Sequence, residues 1–323
     1  MTSNRIDFTV VMSNFNKAPF LVDSIESVLN QSYDLFQLII VDDGSTDNSI
    51  SIINKYASTD GRIRFLSNSS NKGANFSRNR GIEIAKSNYV IIMDSDDLLD
   101  RFCLENRMKE INLHLDFDLW IFSMSTFKDD INQIVSTWRT TKGNYLTKFL
   151  SHQLPWTISQ PVWRRDFLQS LKGFDEAFSR LQDVELHTRA LLNNARVYIS
   201  DNNPDCYYRI IDDRIQNYYS YYEKIAHSVI QYFNIYYGKV LERKYLFLST
   251  LYVIDMIWYG YFSRKLDKRE AVLIINEILT SLQIVEDEKW KLRVLKIYWC
   301  IKSNFNFNFR GLRFIFANIL KSF

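Results

Sequence analysis

The first hundred residues alternate between two hydrophobic periods, and this alternation limits the fold more than any other feature. Phe8–Met12, Leu38–Val41, Ile63–Leu66 and Tyr89–Met93 are short β-branched and apolar runs, the pattern of buried strands. Phe20–Leu29, Ser45–Tyr56 and Phe76–Lys86 lie between them and read as helices, the first with Leu21, Ile25, Val28 and Leu29 at helical spacing. A β-α-β-α-β-α-β order predicts a parallel sheet with helices on both faces. The second strand runs into Asp42-Asp43-Gly44 and the fourth into Asp94-Ser95-Asp96-Asp97. In open α/β sheets, ligands bind outside the carboxyl ends of the strands, so both acidic groups are expected to face one crevice. Five carboxylates on one rim repel each other unless they cap helices, pair with arginines or bind a cation.

Each motif has a chemical reading and a plainer one. Asp94 and Asp96, one residue apart in a turn, can offer oxygens to a hard divalent cation such as Mg²⁺ or Mn²⁺. The plainer reading makes Asp97 the N-cap of a helix through Leu98 and Leu99. A carboxylate in Asp42-Asp43-Gly44-Ser45 can accept from a base N–H or a ribose hydroxyl, whereas Asp before Gly is also ordinary turn chemistry and Asp47 can cap a helix. The segment Lys72–Gly81 puts small residues and arginines at a helix start, which suits phosphate or simply a solvated helix end. Asp183 opens a helix and is either a general base or an N-cap.

After residue 105 the pattern loosens. Leu119–Met124 reads as a strand, residues 125–155 are mixed, Trp156–Asp166 reads as a Trp/Arg-rich loop, and Gly173–Leu192 ends in a helix. From about 215 the chain reads as helical and aromatic. The chain is 46% hydrophobic and 24% charged over 323 residues, which excludes disordered and collagen-like classes. Cys103, Cys206 and Cys300 are odd in number and form no CxxC, which argues against a zinc site or disulfide framework and suits a reducing compartment. Met1–Asp7 is polar and no apolar stretch of the secretory kind follows.

Charge is concentrated at one end. Eight of the 40 basic residues lie in 289–323 and none of the 37 acidic ones, so the rest of the chain is acidic on balance. Within that tail, Leu312, Ile315, Phe316, Ile319, Leu320 and Phe323 form an amphipathic stripe beside Arg310, Arg313 and Lys321. Such a helix suits an anionic membrane surface, or packing on the catalytic domain or a second subunit. The acidic remainder and the phenylalanines argue against a nucleic-acid partner. Tyr245–Phe262 is nearly all apolar but interrupted by Asp255, and is expected to be a buried helix rather than a span.

Taken together the motifs resemble glycosyltransferase family 2, with its GT-A fold. The resemblance rests on Val10-Val11-Met12-Ser13-Asn14-Phe15-Asn16-Lys17, Val41-Asp42-Asp43-Gly44-Ser45, Ser77-Arg78-Asn79-Arg80-Gly81, Asp94-Ser95-Asp96-Asp97, and Gly173-Phe174-Asp175-Glu176 with Gln182-Asp183. These occur in the family's order across residues 8–210. It implies an α/β GT-A domain with a nucleotide-sugar-binding half at 1–105 and an acceptor half at 106–212, and it leaves uncovered the helical, aromatic region read at 213–323. It implies that Ser13, Asn14, Phe15 and Asn16 line the base and ribose, that Asp43 meets the base, and that Arg78 lies near the diphosphate. Asp94, Ser95 and Asp96 would form the DxD, with Asp94 and Asp96 touching the metal and Asp97 a further contact. Asp183 would be the catalytic base, with Gln182 beside it on the acceptor side. Trp156 and Trp163 lie where family members build the acceptor side and suit either stacking on a sugar or core packing, and Arg209 suits either a phosphate or an ordinary surface position. Two departures are present: Ser13-Asn14 replaces the family's frequent Pro-Thr, and Gln182-Asp183 its usual Glu-Asp.

The activity so implied is inverting, metal-dependent transfer from a nucleotide-diphospho-sugar, a UDP-sugar first, to a glycan or lipid-linked acceptor in cell-surface polysaccharide synthesis. The setting would be cytoplasmic or peripheral on the inner membrane face, with a homodimer as one arrangement. A non-catalytic scaffold of the same fold is the rival from another class. A nucleotidyltransferase lacks support, because no Gly-rich loop follows strand one.

Overall fold

All seven residues of β1 (Phe8–Asn14) are buried, because the strand is paired on both edges and covered on both faces. It runs parallel to β2 (Phe36–Asp42) and β4 (Tyr89–Asp94), with Val10 opposite Leu38 on one side and Ile91 on the other. β3 (Ile63–Ser67) continues the parallel sheet beyond β2. The connecting helices are α1 (Ala18–Leu29), α2 (Ser49–Thr59) and α3 (Ala74–Ile84), as the alternation predicts. Each fully buried Val, Leu, Ile, Phe or Met in this layer contributes about 1.5–3 kcal/mol. The computed structural model describes residues 7–212, 215, 217–237, 244–282, 289–305 and 310–321.

Among the described residues the sheet has seven strands. β6 (Leu119–Ile121), β9 (Pro161–Arg164) and β10 (Val197–Ile199) extend it in the order β10-β6-β9-β4-β1-β2-β3. β9 corrects the loop expected at Trp156–Asp166. It is a four-residue antiparallel strand between β4 and β6, with Trp163 opposite Val90 and Leu119. A run this short that opens on proline carries no period of its own, and its strand conformation comes from two distant neighbours. A second sheet, of order β5-β11-β7-β8, comprises β5 (Leu98–Leu99), β7 (Met124–Phe127), β8 (Ile134–Trp138) and β11 (Cys206–Arg209). Leu98 and Leu99 are therefore strand, pairing antiparallel with Tyr207 and Cys206, and the helix start suggested for Asp97 does not exist.

The chain divides into two compact units. The first comprises Met1–Gly143, Pro155–Ala177 and Leu186–Asp212; the second comprises Asn144–Leu154, Phe178–Glu185 and Asp213–Phe323. The second unit is helical: α8 (Tyr218–Tyr236), α9 (Lys244–Phe262), α10 (Lys268–Ser281), α11 (Lys289–Phe305) and α12 (Arg310–Lys321). No described helix is long and apolar enough to cross a membrane. Asp255, which interrupts the apolar run of α9, accepts hydrogen bonds from Lys302 Nζ and Tyr298 Oη of α11, and lies 3.7 Å from Arg313 Nε of α12.

That cluster draws part of the basic tail into its own unit. α12 packs on α9 and α11 of its own unit; among the described residues of its apolar stripe, Phe316 and Leu320 are buried and Ile315 and Ile319 exposed. Two of the eight tail cations are buried as well: Lys302 on Asp255, and Lys291 over the Phe247 ring. Phe323 and the side chains of Arg310 and Lys321 lie outside the described residues.

His152, in the same unit, is buried beside the rings of Tyr232 and Phe233, and neither ring nitrogen has a hydrogen-bond partner among the described residues. Burial therefore pushes its pKa down from 6.5 to about 4. The unfolded chain takes up this proton near pH 6.5 and the folded one only near 4, so the stability the neutral ring contributes is present above pH 6.5 and is lost as pH falls. Across that window the urea midpoint is expected to drop by the equivalent of about 3 kcal/mol. His152→Phe should flatten this slope; an unchanged slope in the variant would refute the assignment.

Candidate active site

The crevice at the carboxyl ends of β1, β2 and β4 is built by turns whose polar groups bind one another first. At the end of β1, Asn14 Nδ2 donates to Asp42 Oδ2 at 2.7 Å, which fixes the amide's orientation because a carboxylate only accepts. Asp42 also accepts from Ser45 N and Oγ, at 2.8 and 2.6 Å, and is fully buried. Asn16 turns the chain with a left-handed φ of 51°, and its Oδ1 accepts from Thr46 N at 2.8 Å. Gly44, at φ 75°, passes so close to the backbone of Ser70 that an added Cβ would sit 2.8 Å from its carbonyl carbon. Asp47 does not cap α2 by itself. It joins two helix starts, accepting from Ser49 N and Ala18 N, both at 2.9 Å. Burial acts to raise its pKa, but these hydrogen bonds outweigh it and the net shift is downward. Ser13 and Asn14 are buried, whereas Phe15 and Asn16 are exposed on the rim.

Asp43 faces the loop that leads into α3. Its Oδ1 accepts from Asn68 Nδ2 at 2.7 Å and Lys72 N at 2.9 Å, and its Oδ2 from Gly73 N at 2.8 Å. The residues Ser77–Gly81 of α3 then have separate tasks. Ser77 meets Asn68, and Arg80 donates to Ser67 O and Asn68 Oδ1. Asn79 holds the distant Gly173–Glu176 loop, donating to Phe174 O and Glu176 Oε1 and accepting from Phe174 N. Gly81 lies against β1, where a methyl group would come within 2.4 Å of Val11 Cγ1. Two stretches about 95 residues apart in sequence are thus one structural joint.

Asp94 to Asp97 form a β-turn closed by Asp97 N donating to Asp94 O at 3.2 Å. The buried Arg78 guanidinium donates to Asp94 Oδ1 at 2.7 Å. Lys17 Nζ donates to Asp96 Oδ2 at 2.6 Å. Ser95 is buried between the two carboxylates. Asp97 is buried and tied into the scaffold: its oxygens accept from Arg209 N at 3.1 Å and Ser159 Oγ at 3.3 Å. Arg209 is not a surface arginine. It is buried between the rings of Phe20 and Phe127, and its Nε donates to Asp96 O at 3.0 Å.

The residues expected on the acceptor side separate. Trp156 and Trp163 are 0% and 1% exposed, with His187 stacked on Trp163 and edge-on to Trp156, so neither indole offers a face to a sugar. This corrects the acceptor role expected for them. α7 (Gln182–Leu192) begins with Gln182, whose side chain donates to Ser179 O at 3.3 Å. Asp183 is half-buried in the first turn, inside the helix rather than capping it, and its Oδ1 accepts from Val184 N at 2.9 Å. Two residues further on, Glu185 is buried and accepts from Tyr236 Oη at 2.7 Å.

Asp94 and Asp96 fit a hard divalent cation by donor chemistry, since both present carboxylate oxygens from one turn. No group of three or more His, Cys, Asp or Glu side chains able to hold a metal occurs among the described residues. These two would therefore be complemented by ligands from a bound diphosphate and water, as is usual for Mg²⁺ at phosphates.

Comparison with known proteins identifies the family and the fold. The sequence model of glycosyl transferase family 2 matches residues 9–163, the stretch that carries both acidic turns. An uncharacterized glycosyltransferase of Methanocaldococcus jannaschii, MJ1057, is 30% identical over 269 residues, covering 77% of this chain and 91% of the relative. Among solved structures, S. aureus TarS 1-349 in complex with UDP-GlcNAc superposes with a TM-score of 0.66 at 16% identity, covering 98% of this chain and 92% of that 1-349 chain. The mannosyltransferase PcManGT of Pyrobaculum calidifontis, in complex with GDP-Man and Mn2+, gives 0.55 at 17% identity, covering 98% and 86%. The two structures share the GT-A fold with this chain, and the identity maintained along nearly the whole of the archaeal relative shows that the chain is a transferase belonging to glycosyltransferase family 2.

Proposed function

We propose that the protein transfers a sugar, with inversion, from a UDP-sugar to a hydroxyl of a glycan or lipid-linked glycan. Cell-surface polysaccharide synthesis is the setting the family resemblance suggests. The observation that carries the reading is the adjacency of β2, β1 and β4, whose carboxyl ends bring Asp43, Phe15 with Asn16, and Asp94 with Asp96 to one edge of the sheet. Phe15 offers an exposed ring on which a base can stack, and Asn16 an exposed polar side chain to the ribose. Asp43 has lone pairs beyond its three present hydrogen bonds for a base N–H. Asp94 and Asp96 are the residues that would hold a divalent cation, which when bound would neutralise the departing diphosphate. Asp183 takes the proton from the acceptor hydroxyl as it attacks the anomeric carbon. TarS binding UDP-GlcNAc and PcManGT binding GDP-Man with Mn2+ support a nucleotide-sugar donor and a divalent ion. Family membership and the presence of Asp43, Asp94, Asp96 and Asp183 together argue against a non-catalytic scaffold.

A thermal-shift panel of UDP, GDP, TDP and CMP, each with and without Mn²⁺, tests the donor. A nucleotide at 100 times its dissociation constant adds about 2.7 kcal/mol, which for a domain of this size raises the melting temperature by several degrees. UDP with Mn²⁺ is expected to give that rise and Asp96→Asn to remove it. A rise with GDP alone would move the donor to another class, and no rise with any nucleotide would sink the reading.

A further inference from the structure

Both carboxylates of the DxD turn are already matched by cations of the chain itself, and the two pairs differ. Arg78 is fixed: its side chain is 5% exposed, Nη1 donates to Asn75 Oδ1 at 3.2 Å, and the guanidinium lies over the Phe174 ring. Its partner Asp94 keeps 28% of its side-chain surface open. At Asp96 the order is reversed. The carboxylate is 1% exposed and the ammonium of Lys17, 24% exposed, is the group that reaches solvent. The backbone of Lys17 is held on both sides, by Lys17 N donating to Ser49 Oγ and by Lys17 O accepting from Phe20 N and Leu21 N at the start of α1. Only its flexible four-carbon stem can move, and it ends in a compact, strongly hydrated point charge.

We propose that Lys17 is an exchangeable counter-ion of Asp96. Without donor its ammonium occupies the position beside Oδ2 that a divalent cation would need. When a nucleoside diphosphate arrives, the ammonium leaves Asp96 for the diphosphate and opens that oxygen to the cation. The inference rests on the nucleotide-sugar reading of this crevice. Its physical basis is like-charge exclusion: two cations cannot share one buried carboxylate oxygen, so ammonium and metal compete there, while ammonium and diphosphate attract. Metal and nucleotide then favour each other's binding through one side chain.

The test uses each ligand alone on the full chain. Binding of Mn²⁺ without nucleotide is followed by the electron paramagnetic resonance signal of the free ion, and binding of UDP in EDTA by calorimetry. Lys17→Met is expected to bind Mn²⁺ about tenfold more tightly than the unaltered protein and UDP about tenfold more weakly, within the usual range of coupling. Lys17→Arg, which keeps a cation on Asp96, should hold Mn²⁺ affinity low. Opposite signs are the signature, because a merely structural loss would weaken both ligands. If Mn²⁺ binds in a way that Asp96→Asn abolishes, yet Lys17→Met binds it no more tightly, the counter-ion role is overturned and the site reading stands. If Mn²⁺ binds to none of the variants, both fall.

Discussion

Asp183→Asn is expected to lower the transfer rate by about 10²–10⁴-fold while leaving the fold and UDP affinity in place, because a positioned general base contributes about that much. The substitution is nearly isosteric, and the Asn side-chain oxygen can still accept from Val184 N as the carboxylate does at 2.9 Å. Asp183 lies inside the first turn of α7 with Gln182 before it, so a loss cannot be ascribed to a missing N-cap. Initial rates with the donor identified by the nucleotide panel, beside calorimetric UDP binding, separate the two effects. A rate within threefold of the unaltered protein would transfer the base role elsewhere, with the buried Glu185 two residues on as the group to substitute next.

The largest stability effect is expected at Asp205. Its carboxylate accepts two hydrogen bonds from Arg107, Nε to Oδ2 and Nη2 to Oδ1, both at 2.8 Å, in a bidentate pair. Arg107 lies in α4 (Cys103–Leu113), is fully buried against the Phe122 ring, and its Nη1 has no hydrogen-bond partner among the described residues. Asp205→Ala would leave a guanidinium buried without a counter-charge, at a cost of about 3–5 kcal/mol. Urea unfolding should show the midpoint falling accordingly. The double variant Arg107→Met with Asp205→Leu should recover most of the loss, since a buried pair replaced by apolar groups of similar volume is often neutral. A single-variant cost under about 1 kcal/mol would contradict the pair's burial. The effect extends towards the site: Asp205 precedes β11, whose Arg209 supports the Asp96 carbonyl.

Much of the sheet was legible because its signals are local. A run of β-branched residues shows its strand within five residues, and the turn after it shows where the carboxylates lie. The same locality explains the misses. Trp156 and Trp163 carry one residue type suited equally to stacking on a sugar and to packing in a core, and His187, more than twenty residues away, decides between them. Asp97 looks like a third member of the acidic turn until Arg209 N, 112 residues on, is seen to hold it. Lys17 was legible as part of the β1 motif but not as the partner of Asp96, which is 79 residues away. Eight basic residues in the tail read as one charged surface, yet Lys302 and Lys291 are buried.

The sequence by itself determined the order of strands and helices from β1 to β4, the placing of Asp42, Asp43, Asp94 and Asp96 at carboxyl strand ends, and the family resemblance. All of these depend on neighbours a few residues apart, where backbone period and turn chemistry act directly. Only the tertiary structure decided which of those charges is paired, with what, and how deeply it is buried. An ion pair's worth depends on distance and on exclusion of water, and both are set by segments that the chain brings together from far apart.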